Sequence, residues 1–132
     1  MDSLIPNFFV HDMAQTLNFY RLLGFEIMQT VPPESGDNAV WAMMHCGKVI
    51  VMFQTFDDLG DDLPEVNRQD GGSLLLYIKI RDIRMFFEGI KDKVKVVKGM
   101  ETTFYGATEF SILDINNYLL TFAEDEVVTQ SS

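Results

Sequence analysis

The sequence has few cysteines and histidines and lacks any long hydrophobic run. Its single cysteine, Cys46, cannot form an internal disulfide, so a reducing cytoplasm is the expected location. No apolar stretch approaches the roughly eighteen residues that a membrane-spanning helix requires. The N-terminal residues also lack the basic and then apolar pattern of an export signal. We therefore expect a cytoplasmic protein without a membrane partner.

Basic residues are also scarce. The 132 residues include 10 Lys and Arg against 20 Asp and Glu, which gives a formal net charge of −10. Nucleic-acid binding draws its affinity from clustered basic side chains, so this balance argues against a nucleic-acid partner. An acidic protein is compatible with a cationic small-molecule ligand.

The remaining composition predicts a folded α+β domain. Hydrophobic residues make up 47% of the chain, enough for a core. Asp12 precedes apolar residues at helical spacing, and Gly24 follows them, which predicts a capped helix between these two positions. A second helix is predicted after Asp82, which we expect to cap it. Strands are predicted at 4–10, 25–31, 39–45, 49–56, 73–80, 94–97, 105–114 and 118–124.

The predicted elements repeat. The order strand, helix, strand, strand, strand occurs twice, and Asp12 and Asp82 lie seventy positions apart, as do the turn residues Gly47 and Asn117. A repeat of this kind predicts two similar modules that share one domain. We predict a single domain, 1–132, with module 1 at about 3–56, an acidic linker at 57–72, module 2 at about 73–124 and a tail at 125–132.

Two motifs carry a family resemblance. Residues 12–25, with Phe19-Tyr20 and Leu23-Gly24-Phe25, resemble the opening "D…FY…LGF" pattern of the vicinal oxygen chelate superfamily, and residues 105–122 resemble its closing "GxxEFxxxDPxGNxxxF" pattern. The superfamily includes glyoxalase I, extradiol dioxygenases and bleomycin resistance proteins. The resemblance covers essentially residues 4–124, with Ile115 and Asn117 in place of the usual Pro and Gly. It implies paired βαβββ modules that form a cupped mixed sheet around a cavity, and a homodimer.

The resemblance also assigns metal-ligand positions. In metal-dependent members these positions carry His or Glu, whereas here they fall on Ile5, Val51 (or its neighbour Ile50), Leu75 and Thr121. Hydrocarbon side chains cannot bind a divalent cation, and a neutral Thr hydroxyl is a poor lone ligand. We therefore predict no metal and no cofactor, as in the bleomycin-resistance-type members.

Strand alternation predicts which side chains line the cavity. If Leu75 faces inward, Tyr77 and Lys79 do so too, while Leu76 and Ile78 face the helices. The same reasoning also places Val49, Leu113 and Leu119 in the lining. The predicted ligand-binding residues are Asn7, Phe9, Trp41, Met43, Val51, Phe53, Leu75, Tyr77, Tyr105, Glu109, Ser111 and Thr121. Each has a structural alternative: Trp41, Met43, Phe53 and Tyr105 as packing residues, and Lys79 and Glu109 as a cross-strand ion pair.

Two classes of function remain open at this point. The first is a metal-free protein that sequesters a cationic or aromatic compound, as in antibiotic resistance, with Glu109 as the buried anion. The second is a glyoxalase- or dioxygenase-like lyase or isomerase with a non-standard site. In that enzyme, Glu109 would act as the base and Lys79 as its electrostatic partner.

Overall fold

The computed structural model describes residues 1–69 and 71–126. The chain divides into two compact units, Met1–Gly72 and Ser73–Ser132. Each unit contains one four-stranded mixed sheet with the element order βαβββ, and the first also carries a second short helix. The predicted α+β fold with two modules is confirmed. Within the described part of the chain, no helix has the length and apolar character needed to cross a membrane.

The first unit contains a sheet of four strands, ordered β1-β4-β3-β2. Strands β1 and β4 pair in parallel, and the other two pairings are antiparallel. A parallel pair needs a crossover connection, which here runs through the helix and the strands β2 and β3. The elements are β1 (Asn7–Val10), α1 (Met13–Leu22), β2 (Glu26–Val31), β3 (Trp41–Cys46), β4 (Val49–Thr55) and α2 (Phe56–Leu59), with a 3-10 turn at Gly36–Asn38.

Helix α1 begins where the sequence predicts. The Asp12 carboxylate accepts a hydrogen bond from the Gln15 backbone N–H at 3.0 Å, which satisfies one of the unpaired donors of the first turn. Tyr20 of α1 packs against the sheet, with its ring centroid 4.7 Å from that of Phe53. Phe8 of β1 stacks on the same Phe53 ring at 5.7 Å. These aromatic side chains form the centre of the first core.

The acidic segment after β4 is partly helical. Phe56 and Leu59 of α2 are buried, and the helix is capped by Thr55, whose hydroxyl accepts a hydrogen bond from the Asp58 N–H. The guanidinium of Arg68 donates to backbone carbonyls of the loop that follows, including those of Leu63 and Val66. The first part of the predicted linker therefore belongs to the first compact unit.

The second unit repeats the plan of the first. Its sheet is ordered β5-β8-β7-β6, with β5 and β8 parallel and the remaining pairs antiparallel. Its elements are β5 (Leu75–Lys79), α3 (Ile83–Ile90), β6 (Lys95–Thr102), β7 (Ala107–Leu113) and β8 (Leu119–Asp125). The rings of Phe86 and Phe87 on α3 pack edge-on against Phe122 of β8 and Phe110 of β7, at 4.9 and 4.8 Å.

The cap of α3 differs from the prediction. Asp82 adopts a left-handed conformation, with φ 55°, and its side chain makes no capping hydrogen bond. Instead, Glu124 of β8 accepts hydrogen bonds from the backbone N–H groups of Asp82 and Ile83, at 3.0 and 3.1 Å. The prediction that Asp82 caps this helix is wrong, because a carboxylate from a distant strand occupies the capping position.

Candidate functional site

Alternation along β5, β7 and β8 places one set of side chains on the face of the second sheet opposite α3. Leu76, Ile78 and Phe122 belong to the α3 side, where Phe122 contacts the helix. The opposite face carries the alternate side chains of each strand, and the register brings these side chains together in cross-strand pairs. The predicted lining residues that lie there are Leu75, Tyr77, Lys79, Glu109, Ser111, Leu113, Leu119 and Thr121.

A cavity of about 380 Å³ lies on this face, entirely within the second unit. That volume falls within the range of roughly 300 to 1,000 Å³ that is usual for small-molecule sites. Most of its wall is apolar, and a small number of carboxylate, hydroxyl and ammonium groups interrupt it. The lining residues are Leu75, Tyr77, Val97, Lys98, Glu101, Tyr105, Glu109, Phe110, Ser111, Leu119 and Thr121.

Glu109 is the hydrogen-bonding centre of the cavity. The hydroxyl groups of Tyr77 and Tyr105 both donate hydrogen bonds to its Oε2 atom. Tyr77 reaches it from β5 and Tyr105 from the β6–β7 turn, so three separate segments meet at one carboxylate. The hydrogen bond to Glu109, and secondarily desolvation, raise the pKa of the Tyr77 phenol above its ordinary value of 10.0. The Tyr77 phenol therefore stays a protonated donor near neutral pH.

Two ion pairs lie on the same sheet. Lys98 Nζ is 2.8 Å from Glu101 on β6, and this carboxylate raises the pKa of the exposed Lys98 ammonium group. Lys79 Nζ lies 2.8 Å from Asp125, so the cross-strand pair considered between Lys79 and Glu109 is not the one that forms. Lys79 is also absent from the cavity lining, which removes the proposed electrostatic partner of a Glu109 base.

The inner end of the cavity carries two buried hydroxyl groups. Ser111 of β7 and Thr121 of β8 are directly opposite each other in the antiparallel ladder. Their side-chain oxygens are 2.8 Å apart and hydrogen bonded. The two residues are only 8% and 4% exposed, so the pair lies below the surface of the cavity wall.

In the first unit, the structure divides the predicted residues between two faces. Asn7, Phe9, Trp41 and Met43 lie on the face of the sheet opposite α1, as their register with Met52 and Gln54 shows. Asn7 donates a hydrogen bond to the Gln54 side chain on that face at 3.2 Å.

Val51 and Phe53 lie on the other face. Both are buried, at 2% and 0% exposure, and Phe53 packs against Tyr20 of α1. The prediction that Val49, Val51 and Phe53 line the ligand cavity is wrong, because the strand register differs by one residue from the predicted one. The alternative position, Ile50, is the one that faces away from the helix.

The family's metal-ligand positions do not fit a metal. Leu75 offers no donor atom, and the Thr121 hydroxyl is engaged with Ser111. Neither Val51 nor its neighbour Ile50 supplies a donor at the third position, and Ile5 supplies none at the fourth. Across residues 1–69 and 71–126, no group of three or more His, Cys, Asp or Glu side chains is arranged to hold an ion.

Sequence reasoning missed the contribution of β6 to the cavity. The predicted strand ended at Val97, whereas the observed strand continues to Thr102, and its residues Lys98 and Glu101 both line the cavity. The register of β6 against β7 shifts between Val96 and Lys98 and again between Lys98 and Glu101. Such bulges interrupt simple alternation, so period-two reasoning fails along this strand.

A family model supports this architecture independently. Residues 5–122 match the model described as Glyoxalase/Bleomycin resistance protein/Dioxygenase superfamily. The chain belongs to this superfamily. A search of the curated proteins found no match.

Several solved structures share the fold at low sequence identity. A protein of unknown function from Agrobacterium tumefaciens is 22% identical with a TM-score of 0.76, covering 95% of this chain and 94% of that one. A bleomycin resistance determinant encoded on the transposon Tn5 is 21% identical with a TM-score of 0.64, covering 96% and 100%. A bleomycin-binding protein complexed with bleomycin is 20% identical with the same TM-score and coverage. At these identities the likeness shows the fold alone.

Proposed function

We propose that this glyoxalase/bleomycin-resistance superfamily member binds a flat organic cation without a metal, in the cavity of its second unit. The observation that carries the proposal is the Glu109 carboxylate, held by Tyr77 and Tyr105 within a largely apolar wall. Tyr77 and Tyr105 are 45% and 56% exposed, so the site is open to solvent, and the carboxylate attracts a cation through its charge and through a charge-assisted hydrogen bond.

The hydrogen bonds of Glu109 leave room for a ligand. Both phenols donate to Oε2, and Oε1 accepts no hydrogen bond from any residue among 1–69 and 71–126. A ligand ammonium group could therefore donate to Oε1 while the aromatic part of the ligand lies against Tyr77, Leu75 and Leu119. The tyrosine rings add cation–π attraction at the same place. The net charge of −10 favours the approach of a cation.

Further support comes from the structural neighbour that is described as a bleomycin-binding protein complexed with bleomycin. By analogy, we propose sequestration of a small molecule, as in antibiotic resistance, for this chain. The ligand-side residues of the first unit, Asn7, Phe9, Trp41 and Met43, are proposed as additional contacts. A homodimer, as the resemblance implies, and a cytoplasmic location, as the single cysteine suggests, are part of the same proposal, and light scattering on the purified protein measures the mass of the oligomer.

The alternative is a lyase or isomerase with Glu109 as general base. Lys79 would not assist it, since the Lys79 ammonium group pairs with Asp125. Two tyrosine donors on one oxygen hold the carboxylate in place as an acceptor, an arrangement suited to holding a cation. These observations favour binding over turnover.

Calorimetric titration tests the binding proposal. In buffer with excess EDTA at pH 7, the cation 2-(aminomethyl)naphthalene should bind about 10-fold more tightly than the neutral 2-naphthalenemethanol, the effect of one charge-assisted hydrogen bond. Glu109→Gln should remove this preference. Glu101→Gln is the matched control, because Glu101 lines the same cavity but is already paired with Lys98, and it should keep the preference. Equal binding of the two compounds, or binding that disappears with EDTA, contradicts the proposal.

A further inference from the structure

We propose that the Ser111–Thr121 hydroxyl pair donates a hydrogen bond to the ligand. The site would then select a flat cation that also carries a neutral hydrogen-bond acceptor, such as a carbonyl or a ring nitrogen, at its inner end. This inference rests on the proposed function and specifies the class of ligand more narrowly.

The two hydroxyl groups supply one more hydrogen-bond donor than their mutual bond uses. Each hydroxyl has one proton, and the bond of 2.8 Å between Ser111 Oγ and Thr121 Oγ1 uses only one of the two. Neither side chain makes another hydrogen bond with any part of the chain that the structure describes. One O–H group therefore remains without a protein acceptor, whichever oxygen donates in the mutual bond.

The spare donor is buried in the wall of the cavity. Ser111 and Thr121 are 8% and 4% exposed, and both line the cavity. Buried polar groups are almost always hydrogen bonded, and an unpaired donor is less tolerated than an oxygen with a spare lone pair. A water molecule can serve as the acceptor while the site is empty. A ligand carbonyl or ring nitrogen that replaces this water satisfies the same donor.

The two polar ends of the site, Glu109 and the Ser111–Thr121 pair, lie on the same face of the sheet. Glu109 and Ser111 are two residues apart on β7, and they pair with Ala123 and Thr121 of β8 on the same face. Two residues along a strand span about 7 Å. The ligand should therefore carry its ammonium group and its acceptor about 7 Å apart, and the apolar wall beside Leu119 favours a flat body between them.

The pair also explains the residue at one of the superfamily's metal-ligand positions. The resemblance assigns this position, Thr121, to a metal-binding carboxylate in metal-dependent relatives. Here the Thr hydroxyl pairs with Ser111 across the ladder, and the resulting donor can meet a ligand oxygen or nitrogen directly. A neutral hydrogen-bond donor thus lies at the position where the metal-dependent relatives would bind a metal ion.

Two probes of the same shape test the inference. The first is 6-(aminomethyl)quinoline, whose ring nitrogen lies about 6 Å from its ammonium nitrogen, close to the spacing of about 7 Å between the two polar ends. The second, 2-(aminomethyl)naphthalene, lacks that acceptor. In calorimetric titrations at pH 7, wild-type protein should bind the quinoline about 10-fold more tightly, the effect of one added hydrogen bond in a buried site.

The double variant Ser111→Ala/Thr121→Val should bind both probes equally. It should fold, because replacing both members of a buried hydrogen bond with apolar groups of similar shape is nearly neutral. Thr108→Val is the control, since Thr108 is a buried threonine of β7 that faces the α3 side, and it should keep the preference.

The outcomes separate this inference from the proposed function. Tight binding of both probes with equal affinity to wild-type protein overturns the hydroxyl donor and leaves the cation site intact. A preference that persists in the folded double variant also overturns it. Failure of both probes to bind refutes the proposed function, and this inference with it. The wild-type comparison by itself can overturn the inference without any variant.

Discussion

Replacing Phe53 by alanine should destabilise the protein strongly and leave ligand binding almost unchanged. The Phe53 ring is fully buried, with centroids 4.7 Å from Tyr20 and 5.7 Å from Phe8. Truncating a phenylalanine in such a core removes its burial and leaves a cavity, at a cost of about 3–5 kcal/mol. The opposite expectation follows from the sequence-based register, in which Phe53 lines the ligand cavity and its loss weakens binding.

Urea unfolding followed by far-UV circular dichroism measures the effect. With a slope of about 2 kcal/mol per molar urea, a loss of about 4 kcal/mol lowers the midpoint by about 2 M. Phe104→Ala is the control for removing a phenyl ring, because Phe104 is 98% exposed and its loss should cost no more than about 0.5 kcal/mol. Phe53→Leu should give a smaller loss in the same direction, which keeps the test usable if the alanine variant does not fold.

The reasoning would be refuted by a Phe53→Ala protein with wild-type stability. It would also be refuted if that variant lost affinity for 2-(aminomethyl)naphthalene as much as Glu109→Gln does. Either result would mean that the β4 side chains alternate in the opposite sense to the one seen in the packing of Phe53 against α1.

Two further predictions concern a helix cap and a tyrosine. Asp12→Ala should lower the free energy of unfolding by about 1 kcal/mol, and Glu124→Ala should do the same through α3. Asp82→Asn should cost little, because Asp82 makes no capping bond and asparagine also tolerates its left-handed conformation. Thermal unfolding of the three variants measures these differences. The pKa of Tyr77 is raised above its ordinary value of 10.0, so folded protein holds the phenol proton more tightly than unfolded protein does. The stability that this hydrogen bond contributes is therefore complete below about pH 10 and is lost as the pH rises further. Titration of phenolate absorbance should therefore show one phenolate fewer in Tyr77→Phe than in wild-type protein, with the difference appearing only above pH 10. If the difference instead appears at or below pH 10, the Tyr77–Glu109 hydrogen bond is not stable in solution.

The second module could be interpreted from its sequence because its first strand alternates clearly. Leu76 and Ile78 are aliphatic, whereas Tyr77 and Lys79, which alternate with them, are amphipathic or charged, so one face is distinguishable from the other. Its final turn is also locally encoded. Asp114 Oδ1 accepts hydrogen bonds from the Asn116 and Tyr118 N–H groups, at 2.8 and 2.9 Å. A carboxylate that bonds the backbone a few residues ahead is a property of local sequence.

The first module could not be interpreted in the same way. Residues 49–53 of β4 are all apolar, and a strand with two apolar faces contains no alternation from which to choose its buried side. The register became visible only through the contacts of Phe53 with Tyr20 and Phe8. The bulges of β6 and the capping of α3 by Glu124 were equally inaccessible, since each depends on a partner far away in the chain.

The sequence by itself determined the repeated βαβββ order, the cap of α1, the superfamily, and the replacement of its metal-ligand positions by hydrocarbon and hydroxyl side chains. These features are encoded by neighbouring residues or by residue type alone. Tertiary structure decided which polar groups meet: Tyr77 and Tyr105 at Glu109, Ser111 with Thr121, and Lys79 with Asp125. Each of these contacts joins different strands or turns, so it depends on the cross-strand register, which is fixed by hydrogen bonding between distant segments together with core packing.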